Sequence, residues 1–251
     1  MTATLNGIED VLRERNVTEA TLSPAEKESL DKLGYVILPD VIDAGWLARL
    51  RTAFENAVDH KQPATNSKQS GTRHASDLIQ KDEAFDGVIT HPKILATVYH
   101  ALRRSFKVLA LGGRDPLPGY GQQALHTDWY PRVSSSEPFS VVTALWLLDD
   151  FIENNGATRL VPGSHLWLKP LPKSLSQPEA KHPDQRFIVA KAGSALAFNG
   201  HLWHSGARNE SNRPRRVIQC QFVARELGLM AQVQPDIPAR LTPAARYILG
   251  F

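Results

Sequence analysis

Apolar residues in the first hundred positions recur mostly at helical spacing. Ser23-Pro24 is a typical helix start, because serine caps the first turn and proline suits its first position, and Gly34 ends this helix. A longer amphipathic helix is predicted from about Asp43 to His60. Its apolar stripe consists of Trp46, Leu47, Leu50, Phe54 and Val58.

Shorter features separate these helices. Residues 35–38 predict a short buried strand that Pro39 ends, and the polar, turn-rich residues 61–71 predict a flexible flap. His91-Pro92 opens a third helix. The stretch up to about residue 104 is therefore predicted to be a mainly helical preamble.

From about Phe106 the spacing changes to that of short strands, punctuated by Gly, Pro, Asn and Asp. The predicted strands span residues 108–111, 122–128, 140–148, 158–161, 186–190, 195–198 and 216–223. Many short strands after helices favour a β barrel or sandwich with helices packed outside it. We expect one domain over residues 1–251, with a β core from about 105 to 224 and a C-terminal tail from 225 to 251.

Composition narrows the classes of protein that need consideration. The 251 residues carry a net charge of only +3 and no basic block, which argues against nucleic acid as a partner. No signal-like or membrane-length apolar run is present, so we expect no membrane partner. The single cysteine, Cys220, excludes an internal disulfide, which suits a reducing, cytoplasmic location.

Candidate chemistry begins with His126 and Asp128. These residues are two apart in a predicted strand, where side chains i and i+2 point to the same face. His204, on a later segment, could supply a third ligand. Two histidines and one carboxylate on one side of a metal form the facial triad of non-haem Fe(II) oxygenases. A lone His-x-Asp also occurs by chance, so the hypothesis depends on the distal segment.

That distal segment also offers a cation, Arg215, eleven residues after His204. A guanidinium binds a carboxylate in a fixed bidentate geometry, which suits the remote carboxylate of a metal-chelating keto diacid. Strand parity places the polar set Arg215, Val217, Gln219 and Gln221 on one face and the more apolar set Arg216, Ile218, Cys220 and Phe222 on the other. The first face suits a cavity lining, which favours Arg215 over Arg216.

Two other histidines have structural interpretations. His201 is three residues before His204, which in a strand is the opposite face. His165, in Pro-Gly-Ser-His, is typical of a structural turn.

Four stretches resemble the phytanoyl-CoA dioxygenase-like family of Fe(II)/2-oxoglutarate oxygenases. These stretches are residues 30–39, 125–128, 149–165 and 204–222, and the likeness covers about residues 23–224. The resemblance implies a double-stranded β-helix, the cupin-type jelly roll, with N-terminal and flanking helices. It also implies dependence on Fe(II), with 2-oxoglutarate and O2 as co-substrates.

The resemblance further implies roles for individual residues. His126, Asp128 and His204 match the iron ligands, and Arg215 matches the clamp on the C5 carboxylate of 2-oxoglutarate. Co-substrate contacts are implied for Gln123, Thr158 and Arg73. Gly206 departs from members that have serine there, which affects one co-substrate hydrogen bond. Halogenating relatives lack the carboxylate that Asp128 supplies.

The expected reaction couples 2-oxoglutarate decarboxylation to hydroxylation, or a related C–H oxidation, of a small and possibly anionic organic substrate. Two alternatives stay open at this point. One is a metal-binding jelly roll without catalysis, acting as a sensor or binding module. The other is a dioxygenase that needs no co-substrate. The oligomeric state cannot be read from these patterns.

Overall fold

A computed structural model describes residues 5–58, 71–228 and 239–251. The predicted flap lies almost entirely outside the described residues, as does part of the C-terminal tail. Six α-helices occur in the described ranges: α1 (Ile8–Glu14), α2 (Pro24–Leu33), α3 (Ala44–Ala57), α4 (Leu78–Lys81), α5 (Pro92–Leu102) and α6 (Pro243–Leu249).

The helix starts that the sequence predicts are formed by side-chain caps. The Ser23 hydroxyl accepts from the Glu26 amide while the Glu26 carboxylate accepts from the Ser23 amide, and Gly34 ends α2 at φ +83°. The Asp43 carboxylate caps α3 by accepting from the Trp46 amide. These caps fix where β1 and α3 begin.

The described strands are β1 (Tyr35–Leu38), β2 (Thr72–Ala75), β3 (Phe106–Pro116), β4 (Val141–Leu147), β5 (Thr158–Leu160), β6 (Arg186–Phe187), β7 (Ala195–Asn199), β8 (His204–Gly206) and β9 (Val217–Ala224). They form a larger sheet in the order β1-β7-β4-β9-β3-β2 and a smaller one in the order β6-β5-β8. All strand pairs are antiparallel. The preamble therefore supplies both edge strands of the larger sheet.

The larger sheet carries apolar residues on both faces, because successive side chains along β4 and β9 point alternately to one face and the other. Trp146, Cys220 and Phe222 belong to the cluster that packs against the helices. Leu145, Val217 and their neighbours instead form a second cluster with residues of the smaller sheet. Two antiparallel sheets packed around an inner cluster, with helices outside the larger sheet, confirm the mainly-β jelly roll.

One predicted element needs correction, and two described elements were not predicted. Residues 122–128 do not form a strand, since only His126 makes an isolated bridge. The short edge strand β2 was not predicted, because its Thr-Arg-His-Ala sequence lacks apolar alternation. The helix α6 lies in the tail that the sequence left unassigned, where Thr242 caps it and Pro243 opens it.

A search of the described helices finds none with the length and apolar character that crossing a bilayer requires.

The Trp146 ring ties β4 to the helical layer. It is fully buried, and its ring centroid lies 5.4 Å from that of Trp46 and 5.5 Å from that of His91. We expect Trp146→Ala to lower the free energy of unfolding by about 3–5 kcal/mol, measured by urea denaturation. The control Val133→Ala, at a residue 89% exposed, should change it by less than about 0.5 kcal/mol. Equal effects of the two substitutions would contradict this assignment.

Candidate active site

A cavity of about 220 Å3 opens between the two sheets. Its walls are mostly polar, in contrast to the apolar cluster beside it. The lining residues are Thr72, Arg114, Pro116, Gly121, Gln122, Gln123, His126, Asp128, Leu145, Thr158, Phe198, His204, Ser205, Gly206, Arg215, Val217, Gln219 and Gln221. A concave site with converging polar groups is the usual form of a small-molecule site.

The two histidines and the carboxylate singled out by the sequence meet in this cavity. Ligand atoms of His126, Asp128 and His204 all lie within 4.8 Å of one another. His204 Nε2 is 3.6 Å from Asp128 Oδ1. The three groups are therefore close enough to share one metal ion, and imidazole nitrogen with carboxylate oxygen is a donor set that suits non-haem iron.

Backbone hydrogen bonds between two segments hold this cluster. The His126 and His204 amides each donate to the carbonyl of the other residue at 2.9 Å, and the Asp128 amide donates to the Gly200 carbonyl at 2.8 Å. His204 lies on β8 and His126 in a loop bridged to it. This bridge, rather than the parity of a regular strand, aims His126 and Asp128 at the same point.

Each imidazole is oriented by a local carbonyl. Nδ1 of His126 lies 2.9 Å from the Ala124 carbonyl oxygen, and Nδ1 of His204 lies 2.9 Å from that of Leu202. A carbonyl only accepts hydrogen bonds, so Nδ1 carries the proton and Nε2 keeps its lone pair. Both rings thus present Nε2 as the metal-binding atom.

Charge states in the cluster also suit a cation. Burial, together with the nearby His204, lowers the pKa of His126 to about 4, so this ring is neutral near pH 7. Burial acts to raise the pKa of the Asp128 carboxyl, but the His204 ring and the Thr143 hydroxyl outweigh it, and that pKa lies below its usual range. Thr143 Oγ1 donates to Asp128 Oδ2 at 2.5 Å. A neutral imidazole and an ionised carboxylate are the forms that bind metals.

Arg215 lies in the same cavity and is buried, with 6% of its surface exposed. Its guanidinium donates no hydrogen bond to any described residue, and its Nε is buried without a partner. The guanidinium carbon lies 5.0 Å from the centroid of the Phe151 ring. Burial lowers its pKa to about 10, so the group is still cationic at pH 7. Such a cation is prepared to receive an anion from the cavity.

Gln123 and Thr158 line the cavity as well. Gln123 is fixed to Gly206 by two contacts: its amide donates to the Gly206 carbonyl at 3.0 Å, and its Oε1 accepts from the Gly206 amide at 3.0 Å. Thr158 lies opposite Gly206 in the smaller sheet. Their suggested contacts with the co-substrate stay predictions.

Arg73 does not line the cavity, which corrects the placement expected for it. It lies on β2 opposite Asp115, and its guanidinium is held by Asp115 at 2.6 Å and by Glu55 at 2.7 Å. The parity of this edge strand turns the neighbouring Thr72 inwards instead.

His201 and His165 also lie away from the cavity. Both are buried, and their rings pack 5.6 Å from the Phe139 ring. The positions agree with the structural interpretations given to them.

Sequence reasoning missed Arg159, a buried residue that organises one wall. Its guanidinium donates to Ser205 Oγ at 2.7 Å and to the Gln123 carbonyl at 3.0 Å. It also donates to the Pro178 and Ala180 carbonyls, both at 2.8 Å, which fastens the loop that follows β5 to the cavity wall. An arginine inside an apolar strand was the available signal.

Sequence reasoning also missed Thr143 and Arg114, for different reasons. Thr143 stands out as the polar residue of the apolar strand β4. Arg114 could be placed only if β3 was known to extend to Pro116, whereas the predicted strand ended at residue 111.

Comparison with known proteins agrees with this geometry. A jelly roll that gathers two imidazoles and a carboxylate in its cavity has the architecture of non-haem iron oxygenases. The chain belongs to the phytanoyl-CoA dioxygenase family, whose model, described as "Phytanoyl-CoA dioxygenase (PhyH)", matches residues 30–217. It is a dioxygenase that depends on iron and 2-oxoglutarate.

Curated relatives match over most of their length. Dioxygenase trt7 of Aspergillus terreus is 29% identical over 252 residues, which cover 92% of this chain and 85% of that protein. Dioxygenase cdmA of Talaromyces verruculosus is 28% identical over 259 residues, with 93% and 85% covered.

Solved structures share the fold. HygX of Streptomyces hygroscopicus, determined with nickel, 2-oxoglutarate and hygromycin B bound, aligns with a TM-score of 0.66 and 18% identity, covering 81% of this chain and 88% of that one. The 2-oxoglutarate-dependent epimerase SnoN from nogalamycin biosynthesis aligns with a TM-score of 0.64 and 19% identity, covering 80% and 82%.

The Thr143 hydroxyl orients the Asp128 carboxylate, so we expect Thr143→Val to weaken metal binding by about ten- to a hundredfold. Titration with cobalt(II) under anaerobic conditions measures this affinity. Thr97→Val is the matched control, because Thr97 is equally buried and its hydroxyl bonds to the Lys93 carbonyl inside α5. The same loss in both variants would show that the effect is not local to the cluster.

Because Gly206 has no side chain, the Gln123 side chain can approach its backbone amide closely. A Cβ at this position would lie 3.1 Å from the Gly121 carbonyl oxygen and 3.2 Å from Gln123 Oε1. We expect Gly206→Ala to displace the Gln123 side chain and to weaken 2-oxoglutarate binding by about three- to tenfold, with unchanged cobalt affinity. Calorimetry on the metal-loaded protein checks the first quantity, and unaltered 2-oxoglutarate affinity would argue against a role for Gln123.

Proposed function

We propose that His126, Asp128 and His204 hold iron(II), and that Arg215 binds the C5 carboxylate of 2-oxoglutarate. The chain then couples oxidation of 2-oxoglutarate to hydroxylation, or a related C–H oxidation, of a small organic substrate. One oxygen atom of O2 ends in succinate and the other in the hydroxylated product, with release of CO2.

The observation that supports this proposal most is the pairing of two unsatisfied features in one cavity. The cluster around His204 presents metal donors, and the buried Arg215 guanidinium has no partner among the described residues. A ligand that satisfies both needs one end that chelates a metal and another that carries a carboxylate. 2-Oxoglutarate has these two ends.

Iron bound at the cluster supplies the activation of dioxygen. The protein's own groups supply position. Thr143 holds Asp128, the Ala124 and Leu202 carbonyls hold the rings, and Arg215 fixes the far end of the keto diacid. Fixing both ends of the co-substrate orients its keto acid towards the metal donors, which is the proximity that such a reaction needs.

The substrate class proposed here is a small organic molecule. HygX and SnoN are described with hygromycin B and nogalamycin RO, which makes small-molecule substrates familiar on this fold. The carboxylate of Asp128 occupies the position that a halide would need, which favours oxygen insertion or desaturation over halogenation. We also retain a cytoplasmic location as a proposal, supported by the lone, fully buried Cys220.

The Arg215 assignment can be tested with a co-substrate analogue. We expect Arg215→Gln to weaken 2-oxoglutarate binding by roughly thirtyfold, or about 2 kcal/mol, because a charge-assisted bidentate contact is lost. Binding of 2-oxovalerate, which has a methyl group in place of the C5 carboxylate, should not change. The visible absorption band of the anaerobic iron complex measures both affinities, and succinate release on aeration measures turnover.

The control is Arg213→Gln, at an exposed position two residues before Arg215. This variant should bind both keto acids like the unaltered protein. Retention of full 2-oxoglutarate affinity in Arg215→Gln would contradict the proposed clamp. Turnover independent of 2-oxoglutarate would contradict the proposed reaction.

A further inference from the structure

Arg114 is a second cation in the cavity, and the proposed reaction gives it no role. It lies on β3 opposite Val217 of β9, with its side chain on the cavity face. It makes no hydrogen bond or ion pair with any of the residues 5–58, 71–228 and 239–251. Burial lowers the pKa of its guanidinium, while the negative charge of Asp128 acts in the opposite direction. Arg114 and the metal cluster therefore line the same cavity.

The carboxylate nearest to Arg114 in sequence is already engaged. Asp115 points to the opposite face of β3, where Arg73 binds it at 2.6 Å and the Arg215 amide donates to it at 3.0 Å. It belongs to an ion-pair network on the helical side of the sheet. The members of that network are Arg51, Arg73 and Arg216 with Glu55, Asp115 and Asp149. Three cations pair with three anions in this network, and Arg114 is not among its members.

The charges inside the cavity also balance without Arg114. An iron(II) ion and the Arg215 guanidinium carry three positive charges. The Asp128 carboxylate and the 2-oxoglutarate dianion carry three negative charges. Arg114 adds one further positive charge, and an uncompensated charge in a partly buried site is costly. An anionic group on the second substrate would compensate it.

We propose that Arg114 binds a carboxylate of the primary substrate and thereby selects small organic acids. The proposal rests on the function given above and narrows its substrate class. The planar guanidinium suits a bidentate carboxylate contact. A carboxylate at Arg114 would lie in the same cavity as the metal donors, so the bound acid would place a C–H bond in the space that they share.

The test compares acids with uncharged partners of the same shape. The probes are a panel of aliphatic and aromatic monocarboxylic acids and their primary amides, added to protein loaded with zinc(II) and 2-oxoglutarate. Ligand-observed NMR measures their binding without turnover. We expect at least one acid to bind more tightly than its amide, and Arg114→Gln to remove about tenfold or more of that preference. Arg114→Lys keeps the positive charge and should retain part of the preference for the acid over its amide.

The matched control is Arg186→Gln, at an exposed arginine on β6 outside the cavity. It should leave the preference for acids unchanged, and thermal unfolding verifies that each variant is folded. The 2-oxoglutarate affinity of each protein is measured separately. We expect it to be unchanged in Arg114→Gln.

Three results would overturn the assignment of Arg114. These are an acid preference that survives in Arg114→Gln, a panel in which no acid is preferred over its amide, and a tenfold or larger loss of 2-oxoglutarate affinity in that variant. The last would identify a carboxylate of the co-substrate as the group bound there. Failure of the unaltered protein to bind 2-oxoglutarate would instead overturn the proposed function, on which this assignment depends.

Discussion

The reciprocal backbone bridge between His126 and His204 is the constraint on which the site depends. Each residue donates to and accepts from the other, so two segments far apart in sequence are held in one register. The Nδ1 atom of each ring then bonds to a carbonyl two residues earlier in its own segment. Backbone geometry alone therefore fixes both ring orientations. The side chains do not have to find them when a metal binds, which lowers the entropic cost of assembling the cluster.

Strand parity then separates arginines that meet ligands from arginines that hold the fold. Arg114 and Arg215 point into the cavity, while Arg73 and Arg216 point to the helical side. The two outward arginines share the Glu55 carboxylate of α3, which ties β2 and β9 to that helix. A shift of one residue in the register of the segment that leads into β9 would exchange the faces of Arg215 and Arg216. The face on which an arginine lies therefore decides whether its guanidinium is available to a ligand or stabilises the fold through ion pairs.

Parity also explains which parts of the site the sequence could predict. The polar alternation of residues 215–221 correctly assigned Arg215 to the cavity, because β9 is long and central. No parity argument was available for Arg73, whose expected role came from the family resemblance alone, because β2 is a four-residue edge strand without an apolar pattern. The prediction that His126 and Asp128 point into one cavity was correct, but the expected strand over residues 122–128 does not form. An isolated bridge between His126 and His204 orients the two side chains instead. The role of Arg159 could not be predicted, because its guanidinium donates to backbone carbonyls of a loop whose path only the fold determines.

A buried guanidinium without a hydrogen-bond partner needs a physical account of how the folded protein tolerates it. For Arg215, Asp115 supplies part of that account. Its carboxylate accepts from the Arg215 amide and raises the pKa of the guanidinium against the larger effect of burial. Asp115 therefore offsets the charge while its own oxygens contact Arg73 and the Arg215 amide, and no described residue accepts a hydrogen bond from the Arg215 guanidinium. Compensation from a neighbour that does not bind the guanidinium stabilises this buried charge without competing with an incoming carboxylate.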